Sequence, residues 1–100
     1  MNCYQSSIPI LKVLCDETRL IILNMLSEKD MNGCEIHRAF LCTQPTISYH
    51  MKLLVEANLV HAHKEGCATV YSINQEIWPS IKDLLQVLCT ETSKKELSHE

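Results

Sequence analysis

The chain has 100 residues, 46% of them hydrophobic and 21% charged, which suits one small globular domain rather than a disordered segment. Its formal charge of −3 argues against DNA binding by net charge alone, and no apolar run approaches the ~20 residues of a membrane span. No secretory signal pattern opens the chain, so we expect a cytoplasmic protein that does not enter a membrane. The large apolar share of so short a chain favours a dimer.

Six cysteines are a high number for a chain of this length in a reducing compartment. Disulfide frameworks are rare in the cytoplasm, so metal binding or thiol redox chemistry gains weight. Buried cysteines that act as small hydrophobic side chains are the alternative.

A polar segment and a short helix are predicted at the start of the chain. Residues 1–7 are mostly polar and are expected to form a mobile arm. Ile8, Leu11 and Leu14 then recur at helical spacing, which predicts a short amphipathic helix.

The second predicted helix is the candidate for the centre of the core. Asp16 is placed to cap it, and residues 20–26 are apolar on most sides. Arg19 lies in this helix and is interpreted as a structural ion-pair partner. Residues 27–31 are predicted to form a charged loop.

A helix, a short turn and a second helix follow, which is the helix-turn-helix pattern. Asn32 and Glu35 have the spacing of a capping box and predict a helix that continues to Phe40. After the turn, residues 43–58 predict the second helix, with Thr43 as its N-cap.

This second helix has one apolar face and one polar face. Ile47, Met51 and Leu54 share the apolar face, and Asn58 suits the left-handed residue that ends a helix. The opposite face carries almost no acidic residues, so it can enter the major groove of DNA. Its expected DNA contacts are Thr43, Gln44, Thr46, Ser48, Tyr49 and Lys52.

Residues 60–73 predict a β-hairpin of two extended runs joined across a turn at Gly66. Lys64 lies next to this turn and is expected to contact DNA phosphate. For His61 and His63, phosphate contact and a solvated surface are equal alternatives.

The last predicted helix covers residues 75–92 and precedes a polar tail at 93–100. Its apolar stripe can pack within the chain, against a second copy, or both. The stripe consists of Ile77, Ile81, Leu84, Leu85 and Leu88.

The order of these segments resembles the ArsR/SmtB family of bacterial winged-helix repressors, which sense metals and metalloids. The resemblance runs from about residue 10 to residue 73. It is carried by LCDETRL at 14–20, close to the family's Leu-x-Asp-x-x-Arg opening, by TQPTISYHMKLL at 43–54, and by the hairpin with KEG at 64–66 and VYSI at 70–73.

The resemblance implies a mainly α fold with a small β-hairpin, a winged helix-turn-helix that dimerises through its first and last helices. It implies a homodimeric repressor that binds double-stranded operator DNA and needs no cofactor for that binding. A thiophilic inducer such as As(III), Sb(III) or Cd(II) would release it.

Cys34 and His37 are the first candidates for binding that inducer. Three residues apart in a helix, they share a face and can reach one soft or borderline metal. The family's arsenic and cadmium sensors carry Cys-x-Cys-x-x-Cys here, whereas this chain has Asn32 at the first position, Cys34 at the second and His37 at the third. The cadmium-sensing branch implies a third ligand from Cys3 of the partner subunit. The alternative is an unliganded helix start with a solvent-facing histidine.

Cys15 and Cys89 are the candidates for an alternative thiol redox or reactive-sulfur switch. Each lies on an element expected at the dimer interface, and Cys89 is placed like the last-helix cysteine of the family's sulfur sensors. Their partner cysteine lies in the second helix, where this chain has Asn24. Two buried interface cysteines are the plainer alternative, and Cys67 in the hairpin receives no role.

Other classes of function find less support. The sequence contains no Gly-rich phosphate loop, no His-Glu-x-x-His and no nucleophile paired with a base, so it predicts no enzyme. A winged helix used only for protein contacts is a further alternative. The exposed polar face predicted for the helix at 43–58, which would be the recognition helix for DNA, argues against it.

Overall fold

The computed structural model describes the backbone of residues 3–99 and the side chains of residues 5–89. Within that range the elements follow in the order α1 Cys3–Leu14, α2 Glu17–Leu26, β1 Met31–Asn32, α3 Gly33–His37, α4 Gln44–Glu56, β2 Val60–Glu65, β3 Ala68–Ile73 and α5 Trp78–His99. The strands form an antiparallel sheet in the order β1-β3-β2. The predicted mainly α fold with a β-hairpin is therefore confirmed.

The core lies where the apolar faces of α2, α3, α4 and α5 meet the start of the hairpin. Burial of these side chains is the main favourable term that holds the helices together. The buried cluster consists of Ile22, Leu23, Leu26, Ile36, Ile47, Met51, Leu54, Leu59, Val60 and Ile81.

The ends of α4 are set by its own sequence, as predicted. At the N-cap, the Thr43 hydroxyl accepts a hydrogen bond from the backbone N–H of Thr46 at 3.4 Å. At the other end, Asn58 adopts the left-handed conformation with a φ of 63°. The N–H of Asn58 bonds to the carbonyl of Val55 and that of Leu59 to the carbonyl of Leu54, which is the Schellman arrangement.

The hairpin β2–β3, which we call the wing, has Gly66 in its turn at a φ of 64°, where a side chain would be strained. A third strand, β1, pairs with the wing through Met31–Tyr71 and Asn32–Val70. The sequence assigned Met31 to a loop, because a strand of two residues leaves no alternating pattern to detect.

Asn32 ends this strand and also caps α3. Its side chain accepts from the Glu35 N–H at 2.9 Å, and the Glu35 carboxylate accepts from the Asn32 N–H at 2.9 Å. The predicted capping box is therefore confirmed.

The two outer helices are longer than the sequence predicted. Residues 3–7, expected as part of a mobile arm, belong to α1, and residues 93–99, expected as a tail, belong to α5. Once the apolar turns are packed, each further residue extends a helix cheaply, so polar flanks are helical too. Met1, Asn2 and Glu100 lie outside the described residues.

Two helix boundaries also differ from the prediction. α3 ends at His37, because the N–H groups of Ala39 and Phe40 bond to carbonyls three residues back and tighten the chain into a turn. α5 begins at Trp78 rather than residue 75. The buried Asn74 side chain accepts from the Glu76 N–H and donates to the Asn58 carbonyl, which holds a turn before the helix. Along the described chain, no helix combines the length and apolar character needed to span a bilayer.

We expect Leu54→Ala to lower the free energy of unfolding by ~2–5 kcal/mol, because it opens a cavity at a side chain with 0% exposure. The control Leu41→Ala truncates a fully exposed leucine and should change stability by less than ~0.5 kcal/mol. Urea unfolding at one fixed protein concentration measures both. Equal effects of the two changes would contradict the position of Leu54 in the core.

Candidate DNA-binding and thiol sites

The polar face of α4 is fully presented to solvent. Burial of Ile47, Met51 and Leu54 fixes which side of the helix turns inward. The six predicted contact residues on and beside this helix are all exposed: Thr43, Gln44, Thr46, Ser48, Tyr49 and Lys52. Tyr49 is 57% exposed, so much of its side chain is open to solvent.

The orientation of α4 is also held by a hydrogen-bonded link to α1 and α2. Arg19 donates from Nε to the Val13 carbonyl at 2.6 Å and from Nη1 to His50 Nδ1 at 3.0 Å. Arginine can only donate, so Nδ1 accepts and the ring proton of a neutral His50 lies on Nε2. The Asp16 carboxylate lies 4.0 Å from the same Nδ1 and accepts from the Arg19 N–H.

This link confirms the predicted structural role of Arg19. Its side chain, however, was expected to form an ion pair, whereas it donates to a backbone carbonyl and to an imidazole. The partner His50 lies 31 residues away in sequence, and no local pattern connects the two. The sequence feature that could have indicated this link is the histidine beside the apolar stripe of α4.

The two faces of the wing carry different groups. Side chains alternate along a strand, so Lys64 shares a face with Tyr71, while His61, His63 and Glu65 lie on the other. His63 Nε2 lies 3.0 Å from the Glu65 carboxylate, and both side chains are largely exposed. Lys64 is exposed beside the turn, where it was predicted.

Cys34 and His37 lie on α3 as predicted, Cys34 exposed and His37 half-buried. His37 Nε2 donates to the Cys42 carbonyl at 2.9 Å, which leaves Nδ1 as the nitrogen free to bind a metal. Among the side chains of residues 5–89, no three His, Cys, Asp or Glu groups come together as metal ligands do. The Cys3 side chain lies outside that range.

A cavity of about 290 Å³ lies between α3, the start of α4 and the wing, and we call it the wing cavity. Cys34 and Cys67 both lie on its wall, although no role was predicted for Cys67. Burial raises the pKa of the Tyr71 hydroxyl above its usual value. The wing cavity is lined by Asn32, Gly33, Cys34, Gln44, Ser48, Cys67, Ala68, Thr69 and Tyr71.

The second predicted thiol pair lies elsewhere. Cys15 is exposed in the bend after α1, and Cys89 is exposed on α5. The plainer alternative, in which both cysteines are buried at an interface, would require a second chain to cover them.

Comparison with known proteins agrees with this architecture. Residues 16–62 match the model of the family described as bacterial regulatory protein, arsR family. The arsenical resistance operon repressor of Staphylococcus xylosus is 39% identical over 87 residues, covering 87% of this chain and 84% of the relative.

Solved structures share the whole fold. An ArsR-like transcriptional regulator from Rhodococcus sp. RHA1 has a TM-score of 0.85 and 21% identity, covering 95% of this chain and 87% of that one. A homodimeric winged helix-turn-helix DNA-binding domain from Mycobacterium bovis has a TM-score of 0.71 and 27% identity, covering 88% of this chain and 82% of that one. The chain thus belongs to the ArsR family of bacterial regulatory proteins, and its fold is the winged helix-turn-helix.

Proposed function

We propose that the protein is a homodimeric, cytoplasmic transcriptional repressor that a thiophilic metal or metalloid ion releases from its operator. The observation that carries the proposal is the exposed polar face of α4, held in a winged helix beside the exposed thiol of Cys34. The similarity to the arsenical resistance operon repressor of S. xylosus supports both the role as a repressor and the response to a metal or metalloid. Members of the family are regulators, and we assign no catalytic residue.

DNA would be bound by α4 in the major groove and by the wing alongside it. Ser48 and Tyr49 are exposed in the middle of α4 and would contact base edges or phosphates. Lys52 and Lys64 would each meet a phosphate, while Thr43 and Thr46 place two hydroxyls 3.0 Å apart at the helix N-terminus. With a net charge of −3, affinity should be modest and should fall steeply with salt.

Dimerisation is supported by apolar side chains that the single chain leaves exposed on α1 and α5. Leu85 is 53% exposed, whereas Leu84 is buried within its own chain, so the predicted stripe divides between the core and the surface. Several large apolar side chains exposed on the two helices that the family resemblance places at the interface are what a dimer would cover. The exposed members on the two helices are Ile8, Leu11, Leu85, Val87 and Leu88. The homodimeric domain from M. bovis supports this assembly.

The inducer would bind through Cys34, with His37 Nδ1 and Cys3 of the partner subunit as the further ligands. Thiolate and imidazole suit a soft or borderline ion such as Cd(II), while As(III) and Sb(III) call for more thiolates than this set holds. Release requires that the ion bind the low-affinity form of the dimer more tightly than the DNA-bound form.

A thiol switch through Cys15 and Cys89 is the second candidate. Both thiols are exposed in the single chain, on or beside the helices that would form the dimer interface. In that case an oxidant or a persulfide donor, rather than a metal, would release the DNA.

We expect Ser48→Ala and Tyr49→Ala each to weaken operator binding by ~1–3 kcal/mol, because each removes a base or phosphate contact. Lys52→Ala should reduce the slope of affinity against salt by about one unit. The control is Lys29→Ala, since the pairing of Met31 with Tyr71 puts residue 29 at the end of the sheet away from the Gly66 turn. Fluorescence anisotropy at several salt concentrations measures all four, and unchanged binding in the three α4 variants would overturn the assignment.

We expect Leu85→Asp to produce monomers, because a carboxylate placed in an apolar interface is costly to desolvate. Leu41→Asp introduces the same charge at a fully exposed leucine in the turn before α4 and should leave the dimer intact. Sedimentation velocity distinguishes the two. A dimeric Leu85→Asp protein that is folded by circular dichroism would place the interface elsewhere.

We expect Cys34→Ser to remain on operator DNA when Cd(II), the ion that this ligand set suits, is added, because a hydroxyl is a poor ligand for a soft ion. Cys15→Ser and Cys89→Ser should still be released. If polysulfide releases the unmodified protein, and if Cys15→Ser and Cys89→Ser each abolish that release, the result favours the thiol switch instead. A full metal response in Cys34→Ser would overturn the Cys34 site.

A further inference from the structure

Cys34 and Cys67 come from distant parts of the sequence but lie on the wall of the same cavity. Pairing of Asn32 with Val70 sets the two segments side by side, and both then leave the sheet toward the turn of the wing. Cys34 follows Asn32 by two residues and Cys67 precedes Val70 by three. Both cysteines are exposed and neither is in a disulfide, so both thiols are accessible to an ion from solvent.

The remaining groups on this wall are poor partners for a soft ion. The oxygens of Asn32, Gln44, Ser48 and Thr69 are hard donors, which suit Mg²⁺ or Ca²⁺ rather than a thiophilic ion. Asn32 Oδ1 already accepts from the Glu35 N–H. The wing cavity therefore offers two soft ligands, which excludes an ion that needs three thiolates.

We propose that Cys34 and Cys67 of one chain form a two-thiolate site for a d¹⁰ ion that accepts linear coordination, Hg(II) or Cu(I). Each thiol loses its proton as its metal–sulfur bond forms, so one ion displaces two protons and binds more tightly as the pH rises. This inference deepens the proposed function and rests on it in taking Cys34 as a ligand of the releasing ion.

The position of this site gives a direct route to release. Gln44 and Ser48, on the polar face of α4, line the same cavity. An ion held between the two thiols occupies the space between α4 and the wing that a DNA backbone would enter. Ion and DNA then compete, and the competition is reciprocal: DNA must weaken ion binding by the factor by which the ion weakens DNA binding.

The first test titrates the reduced full-length protein with Hg(II), followed by thiolate-to-mercury absorption in the ultraviolet. A competing monothiol is present so that only a site with two protein thiolates retains the ion. We expect one tight ion per chain, and a loss of affinity of ~100-fold or more in both Cys34→Ser and Cys67→Ser, because either change removes the chelate. Cys89→Ser removes an exposed thiol elsewhere and should bind as the unmodified protein does.

A parallel titration with Cu(I) under anaerobic conditions separates the two ions. Loss of binding in the same two variants is expected for whichever ion the site takes. If neither ion binds more tightly to the unmodified protein than to both variants, the site does not exist.

The second test uses a duplex selected for binding from a random library. Hg(II) or Cu(I) should release the unmodified protein but not Cys67→Ser, and the bound duplex should slow alkylation of Cys34 and Cys67 but not of Cys89. Equal alkylation rates with and without DNA would overturn the competition.

The variants also separate this inference from the proposed function. Release and ion binding that persist in Cys67→Ser but vanish in Cys34→Ser would overturn the wing thiol and leave the Cys34 site standing. Persistence in both would overturn both. Circular dichroism of Cys67→Ser controls for folding, and the exposed turn predicts an unchanged spectrum.

Discussion

Burial of one face of α4 is the constraint on which the rest of the molecule depends. The side chains of Ile47, Met51 and Leu54 are inaccessible to solvent and pack against α2, α3 and the start of the wing. Because a helix is rigid, burying this face also decides which residues point outward. The polar surface that we propose for DNA is thus set by the core behind it.

The two side-chain hydrogen bonds of Arg19 also restrict how α4 can rotate within that packing. A guanidinium is always charged and must find acceptors, and here it finds the last turn of α1 and the His50 ring on α4. Apolar contacts alone tolerate small rotations, whereas two hydrogen bonds of fixed geometry do not. The helix expected at the dimer interface and the helix expected in the groove are therefore joined through one side chain, which is the kind of connection through which a change in the dimer would reach DNA.

The sequence predicted what local rules decide. The caps at Thr43 and Asn32, the left-handed Asn58 and the apolar stripe of α4 were all found, because each depends on residues within a turn or two. The third strand, the His50 link and the juxtaposition of Cys34 with Cys67 were missed. Each depends on pairing between segments 30 or more residues apart, which leaves no periodic trace in a single sequence.

The ends of the outer helices were missed for another reason. Polar flanks give no apolar pattern, yet a helix continues through them once its packed turns exist. The division of the α5 stripe into a buried Leu84 and an exposed Leu85 also required the fold, since neighbouring apolar residues look alike in sequence.

Asn32 has two structural roles, and they affect how the sensor chemistry of this family could change. The same residue pairs with the sheet and caps α3. By the sequence resemblance, it is also expected to stand where the arsenic and cadmium sensors have the first cysteine of their Cys-x-Cys-x-x-Cys pattern. A mutation of Asn32 to cysteine would add a thiol to the helix start but remove a cap worth ~0.5–2 kcal/mol. Evolution toward a three-thiol sensor from this background therefore passes through a less stable protein, unless a bound ion replaces the lost cap by holding the first turn of the helix itself.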